Sequence, residues 1–206
     1  MTSMMKVLHA CSVVLLIAAV VLVPRLDAQR PPSDVPDLQA DYKLALPSDF
    51  REWVFLSAGL GMTYGPNAPA ANQPRAFTNV YVNRTSYRAF LNSGAWPDRT
   101  MFILEIRASA SEGSINRFGS FQTSLRAVEV NVKDARLPGG WGFYDFGTAA
   151  GPVAPLPQTA SCYACHRDNT AVEHTFVLFY PTLMEVARRH GTVKASYRDA
   201  PASDGR

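Results

Sequence analysis

Cysteine, lysine and long apolar runs are all scarce in this 206-residue chain. Of its three cysteines, Cys11 precedes a short apolar run, while Cys162 and Cys165 share a single five-residue segment. That distribution excludes a disulfide-built scaffold. It also argues against a lipoprotein signal, whose lipid-accepting cysteine follows the apolar run. The run itself, Ser12 to Val23, is too short for a comfortable membrane span and about right for the apolar region of a signal peptide. No internal repeat is visible. The formal charge of +3 leaves no electrostatic footprint for nucleic acid. Lysine occurs only at positions 6, 43, 133 and 194, so arginine carries most of the positive charge.

Present at the N-terminus are Lys6, the apolar run and a small residue at Ala28. Together these predict a signal peptide over 1–28, cleaved near Ala28–Gln29, and export to the periplasm. An uncleaved signal anchor is the alternative, because Arg25 follows the run directly. Residues 29–44 begin Gln29-Arg-Pro-Pro-Ser-Asp-Val-Pro36 and read as a flexible leader. Residues 45–192 form the expected domain, and 193–206 a disordered tail.

Within the domain, residues 50–60 are apolar and 64–76 read as a loop. Phe77–Val82, Thr100–Arg107, Leu125–Val132 and Trp141–Phe146 have the β-branched and aromatic content of strands. In the third of these, Val128, Val130 and Val132 share one face, and Ala127, Glu129 and Asn131 the other. Thr85–Leu91 predicts a short helix, capped by Asn83 or Thr85, stopped by Gly94, with Tyr87, Phe90 and Leu91 facing inward. Pro181–His190 predicts another, with Leu183, Val186 and Ala187 on one side. Strands first and helices late indicate an α+β fold, mainly an antiparallel β-sheet with a few flanking helices.

The chemistry concentrates at Cys162-Tyr-Ala-Cys-His166, which has the Cys-x-x-Cys-His pattern of c-type heme attachment. Thiols at i and i+3 lie on one side of a helical turn and reach two vinyl groups of one heme. His166 then comes under the iron as the proximal ligand. One covalent heme c, on a late helix, is the expectation. A redox disulfide is a competing reading, but the preceding Gly151–Pro157 segment offers no βαβ unit. A zinc site is another; His174 could be a third ligand, and no fourth is evident. The sixth ligand decides function. Met62, Met101, Met184, His174 and His190 are the candidates, and none stands out, which leaves a five-coordinate iron plausible.

Several ordered segments resemble the cytochrome P460 family, which includes the β-type cytochromes c′. They are Phe50-Arg-Glu-Trp-Val54, Val80-Tyr-Val-Asn83, Tyr87-Arg-Ala-Phe90, Gly94 through Trp96-Pro-Asp98 to Thr100, Glu129-Val-Asn-Val-Lys-Asp134, Gly140-Trp-Gly-Phe143, Cys162 to His166, and Phe176 through Phe179-Tyr-Pro181. The resemblance covers roughly residues 45–190. It implies a mainly antiparallel β fold, a homodimer and one five-coordinate heme per chain. It also implies one of two activities. The P460 enzymes oxidise hydroxylamine and carry an extra bond between a lysine and the heme rim. The β-type cytochromes c′ lack that bond and bind nitric oxide or related small ligands. Aligned by these segments, Leu104 falls where the enzymes have the lysine, and no lysine occurs between Lys43 and Lys133.

Strand periodicity places Phe102, Leu104 and Ile106 on one face. If that face meets the heme, the three form an apolar lid suited to neutral diatomics; otherwise they are ordinary sheet core. Three functions follow. One is a cytochrome binding a small diatomic or nitrogenous ligand such as nitric oxide. Another is an enzyme oxidising hydroxylamine or reducing a peroxide. The third is a six-coordinate electron carrier serving a redox partner protein.

Overall fold

A computed structural model describes residues 34–63 and 75–199. The expected signal peptide, the first part of the expected leader and most of the 64–76 loop lie outside the described residues.

Each strong β-branched or aromatic run forms a strand: β1 (Val54–Leu60), β2 (Phe77–Val82), β3 (Thr100–Ala110), β4 (Phe121–Lys133) and β5 (Trp141–Gly147). They form one five-stranded sheet in the order β1-β2-β3-β4-β5, every neighbouring pair antiparallel. The expected α+β class is what the chain adopts. Helix α1 (Arg84–Ser93) separates β2 from β3; α2 (Ser161–Asp168) and α3 (Pro181–His190) follow the sheet. Asn83 precedes α1 but makes no side-chain cap bond to it. Its Oδ1 instead accepts the Met101 N–H at 2.9 Å, tying the helix start to β3. Gly94, left-handed at φ 68°, ends α1 and donates its N–H to Phe90.

Alternation along the strands produces two cores. On one sheet face Val82, Phe102, Trp141 and Phe143 pack with Phe90 of α1, Trp96, and Leu183, Met184, Val186 and Ala187 of α3. On the other, Met101, Ile103, Val128, Val130, Val132, Tyr144 and Phe146 pack against Leu38, Leu44, Phe50 and Trp53. Two expected boundaries move as a result. Residues 34–44 are not a free leader: Leu44 is fully buried and bridges both Leu38 and Val153. Nor are residues 193–197 a loose tail. Val193 is buried, the Lys194 N–H donates to Ala171 O at 2.9 Å, and Ala195–Tyr197 makes a turn of 3-10 helix. On α1, Phe90 faces inward as expected, whereas Leu91 is exposed.

The second face also holds a carboxylate. Glu105 accepts hydrogen bonds from Arg51 (2.9 and 2.6 Å), Arg107 (2.9 Å) and Asn79 (3.2 Å), and its side chain is 3% exposed. Burial by itself would raise its pKa. The bonds from Arg51 and Asn79 and the two arginine charges outweigh that and hold it below 4.5. A folded pKa below the unfolded one means that this stabilisation is complete above 4.5 and is lost as pH falls through the lowered value. Glu105→Gln should therefore cost about 1–3 kcal/mol at neutral pH, because both arginines can turn to water. It should also flatten the loss of stability on acidification. Urea unfolding of both proteins at several pH values checks this; parallel curves would refute it.

Candidate functional site

Helix α2 lies over the first sheet face, and between them is a cavity of about 360 Å³. Cys162, Cys165 and His166 line it from α2. Opposite them stand Ser57 and Gly59 of β1, Thr78 and Val80 of β2, Phe102 and Leu104 of β3, and Glu129 and Asn131 of β4. Met62, Ser161, Phe176, Phe179 and Tyr180 complete the wall. Strand register fixes the floor: Leu104 is directly opposite Val80 and Glu129, and Phe102 opposite Val82 and Asn131.

Both thiols are unpaired and half-buried. Burial pushes the Cys162 thiol pKa up, and the nearby Glu129 and Cys165 charges add to the effect. His166 is held from several sides. Its Nδ1 is 2.8 Å from the His174 carbonyl, so the Nδ1–H donates there and Nε2 carries the lone pair. Phe143 and Phe176 pack on the ring, with centroids at 4.6 and 4.7 Å. Burial lowers the imidazole pKa below 6.5, against the opposing effect of the carbonyl, and keeps the ring in the neutral form a metal requires. The Thr170 hydroxyl, 2.7 Å from the Glu173 carbonyl, pins the turn that presents the His174 carbonyl.

The other candidate ligands separate clearly. Met184 and Met101 are buried in the two cores. His190 is exposed at the end of α3. The His174 ring stacks on Trp141 at 5.4 Å, outside the cavity lining. Met62 alone of the five lines the cavity. Among the three residues expected to form an apolar lid, Phe102 and Leu104 line the cavity. Ile106 shares their face but lies outside the lining, beside the register shift between β3 and β4. The wall is also more polar than expected, since Glu129, Asn131, Thr78 and Ser57 belong to it. Period-two alternation put Glu129 and Asn131 opposite the three core valines. What covers that face is a tertiary fact.

No lysine of the described residues reaches the cavity. Lys43 pairs with Asp41. Lys133 binds Glu173 and the Trp96 carbonyl, both at 2.6 Å. Lys194 binds the Arg167 carbonyl and Thr170. Among the described residues, no group of three or more His, Cys, Asp and Glu side chains is placed to hold a metal ion directly.

The site is thus one face of an antiparallel sheet covered by a Cys-x-x-Cys-His helix, with a largely apolar cleft between them. The sequence profile of the cytochrome P460 family matches residues 47–177, well over half of the chain, and the chain belongs to that family. No curated protein matches it. Membership implies a heme cofactor. The residues present fit one: two free thiols and a neutral imidazole nitrogen converge on one largely apolar cavity.

Proposed function

We propose that this is an exported, periplasmic c-type cytochrome with one covalent heme, five-coordinate at iron, which binds nitric oxide or a related small nitrogen species. Cys162 and Cys165 would hold the ring by thioethers and His166 would be the proximal ligand. When bound, the heme supplies an iron with an open position for a neutral ligand. The chain's contribution is orientation and enclosure. The His174 carbonyl fixes the tautomer and aim of His166, and Phe143 and Phe176 hold the ring in place.

The observation that carries the reading is the cavity wall itself. Among the described residues His166 is its one histidine, and by the family resemblance Leu104 stands where the hydroxylamine-oxidising members carry their cross-linking lysine. Phe102, Leu104 and Val80 give that wall an apolar stretch suited to neutral diatomics. The family resemblance further supports a homodimer.

One observation favours a second reading. Met62 also lines the cavity, and its thioether is a potential axial ligand. Ligation by Met62 would make the protein a six-coordinate electron carrier. Absorption spectra of the ferrous protein with and without carbon monoxide decide between them. A high-spin spectrum that shifts on adding the gas is expected. A low-spin spectrum indifferent to it would replace the proposal with the Met62 reading.

A further inference from the structure

We infer that Glu129 is an anion-excluding residue of this pocket, which sets its ligand class as neutral small molecules and disfavours anions. The inference rests on the proposed open heme iron and goes beyond it by naming a residue that selects ligands.

Glu129 lines the same cavity as His166 and both cysteines. On the sheet its neighbours are Leu104 of β3, which is apolar, and Asp145 of β5, which is also acidic. Among the described residues its carboxyl has no hydrogen bond and no ion pair.

The charged and titratable groups around it offer no compensation. Lys133, further along the same face of β4, is committed to Glu173 and the Trp96 carbonyl. On β3, Glu105 and Arg107 belong to the opposite face and pair with each other. Asp145 accepts the Gly147 N–H and adds a second negative charge. From α2 come Cys162, Cys165 and the neutral His166, while the exposed Arg167 is tied to Asp168. Tyr180 contributes a phenol to the wall.

Glu129 stands on the wall of the cavity with its open side exposed to solvent. Burial first, and Asp145 second, push its pKa above 4.5. A charge at that place acts partly through the cavity and partly through water, so its repulsion of an entering anion is partly screened. A ligand without charge meets no such barrier. The effect fades as pH falls and the carboxyl takes up a proton.

The test uses the heme-loaded protein and two probes: fluoride on the ferric form and carbon monoxide on the ferrous form. Glu129→Gln keeps the side-chain shape and removes the charge. Fluoride should bind it about tenfold more tightly than wild type at neutral pH, the effect of one partly screened unit charge, with carbon monoxide affinity changed by less than about twofold. In wild type, fluoride binding should also strengthen on acidification by more than it does in the variant, a comparison of slopes that does not depend on absolute affinity. Equal fluoride affinities in the two proteins, or equal gains for both probes, would overturn the inference while leaving the open iron intact. Failure of wild type to bind carbon monoxide would overturn the open iron and the inference with it.

Discussion

Protein carrying Cys162→Ala and Cys165→Ala together is expected to release all of its heme into acid acetone, whereas wild type matured in a cytochrome c assembly host should retain all of it. The spacing of the two cysteines puts them on one side of α2, and both thiols open into one cavity, so both can bond to a single ring. Each single variant should keep its heme through the remaining thioether. His166→Ala separates attachment from ligation. It leaves both thiols in place and should hold heme covalently, yet lose the native iron spectrum, because among the described residues no other histidine lines the cavity. Extractable heme in wild type would remove the covalent assignment. An unchanged spectrum in His166→Ala would show that another residue holds the iron, and Met62 would be the first to examine.

The proposed attachment motif was legible because it is local. Five consecutive residues carry it, and the helix they form brings the thiols together without help from the rest of the fold. The central strands were legible for a related reason: Thr100–Arg107 and Leu125–Val132 are dense in β-branched residues that alternate between two real faces. Where one cause was absent, the reading stopped short. The β3–β4 hairpin continues through polar residues, pairing Ser109 with Gln122 and Ala110 with Phe121, where backbone bonds and no core hold the strands. Leu38 and Leu44 fill the second core from a proline-rich, polar stretch whose composition hides them. Val193 does the same past the last helix. The polar wall of the cavity was half legible. Alternation separated Glu129 from the valines but could not say that α2 would lie over it. The support for His166 was not legible at all, since it comes from the backbone carbonyl of His174, and any residue at that position has one.

The heme of this protein should carry two covalent bonds to the chain and no third. In the hydroxylamine-oxidising enzymes that it resembles, a lysine nitrogen supplies the extra bond to the ring. Leu104, which aligns with that lysine, does reach the cavity, between Val80 and Glu129 on the adjoining strands, and a leucine has no nitrogen to offer. Its neighbours on the same face, Phe102 and Ile106, have none either. Arginine cannot deputise, because its guanidinium stays protonated. The lysines of the described residues are engaged elsewhere: Lys133 with Glu173 and the Trp96 carbonyl, Lys43 with Asp41, and Lys194 with the Arg167 carbonyl. Breaking the Lys133 contacts to bring its amine to the ring would strip Glu173 of its ion-pair partner, leaving it the Trp96 N–H, and leave the Trp96 carbonyl without that donor. The intact mass should therefore equal apoprotein plus heme, less nothing for a further bond to the ring. Proteolysis should place heme on the peptide containing Cys162 to His166 and on no other. Hydroxylamine turnover should be slight, while nitric oxide and carbon monoxide bind. A second peptide on the heme, above all one containing Lys133 or Lys43, would restore the enzyme reading, because it would mean that the chain opens those contacts to deliver an amine that the folded sheet holds away from the cavity.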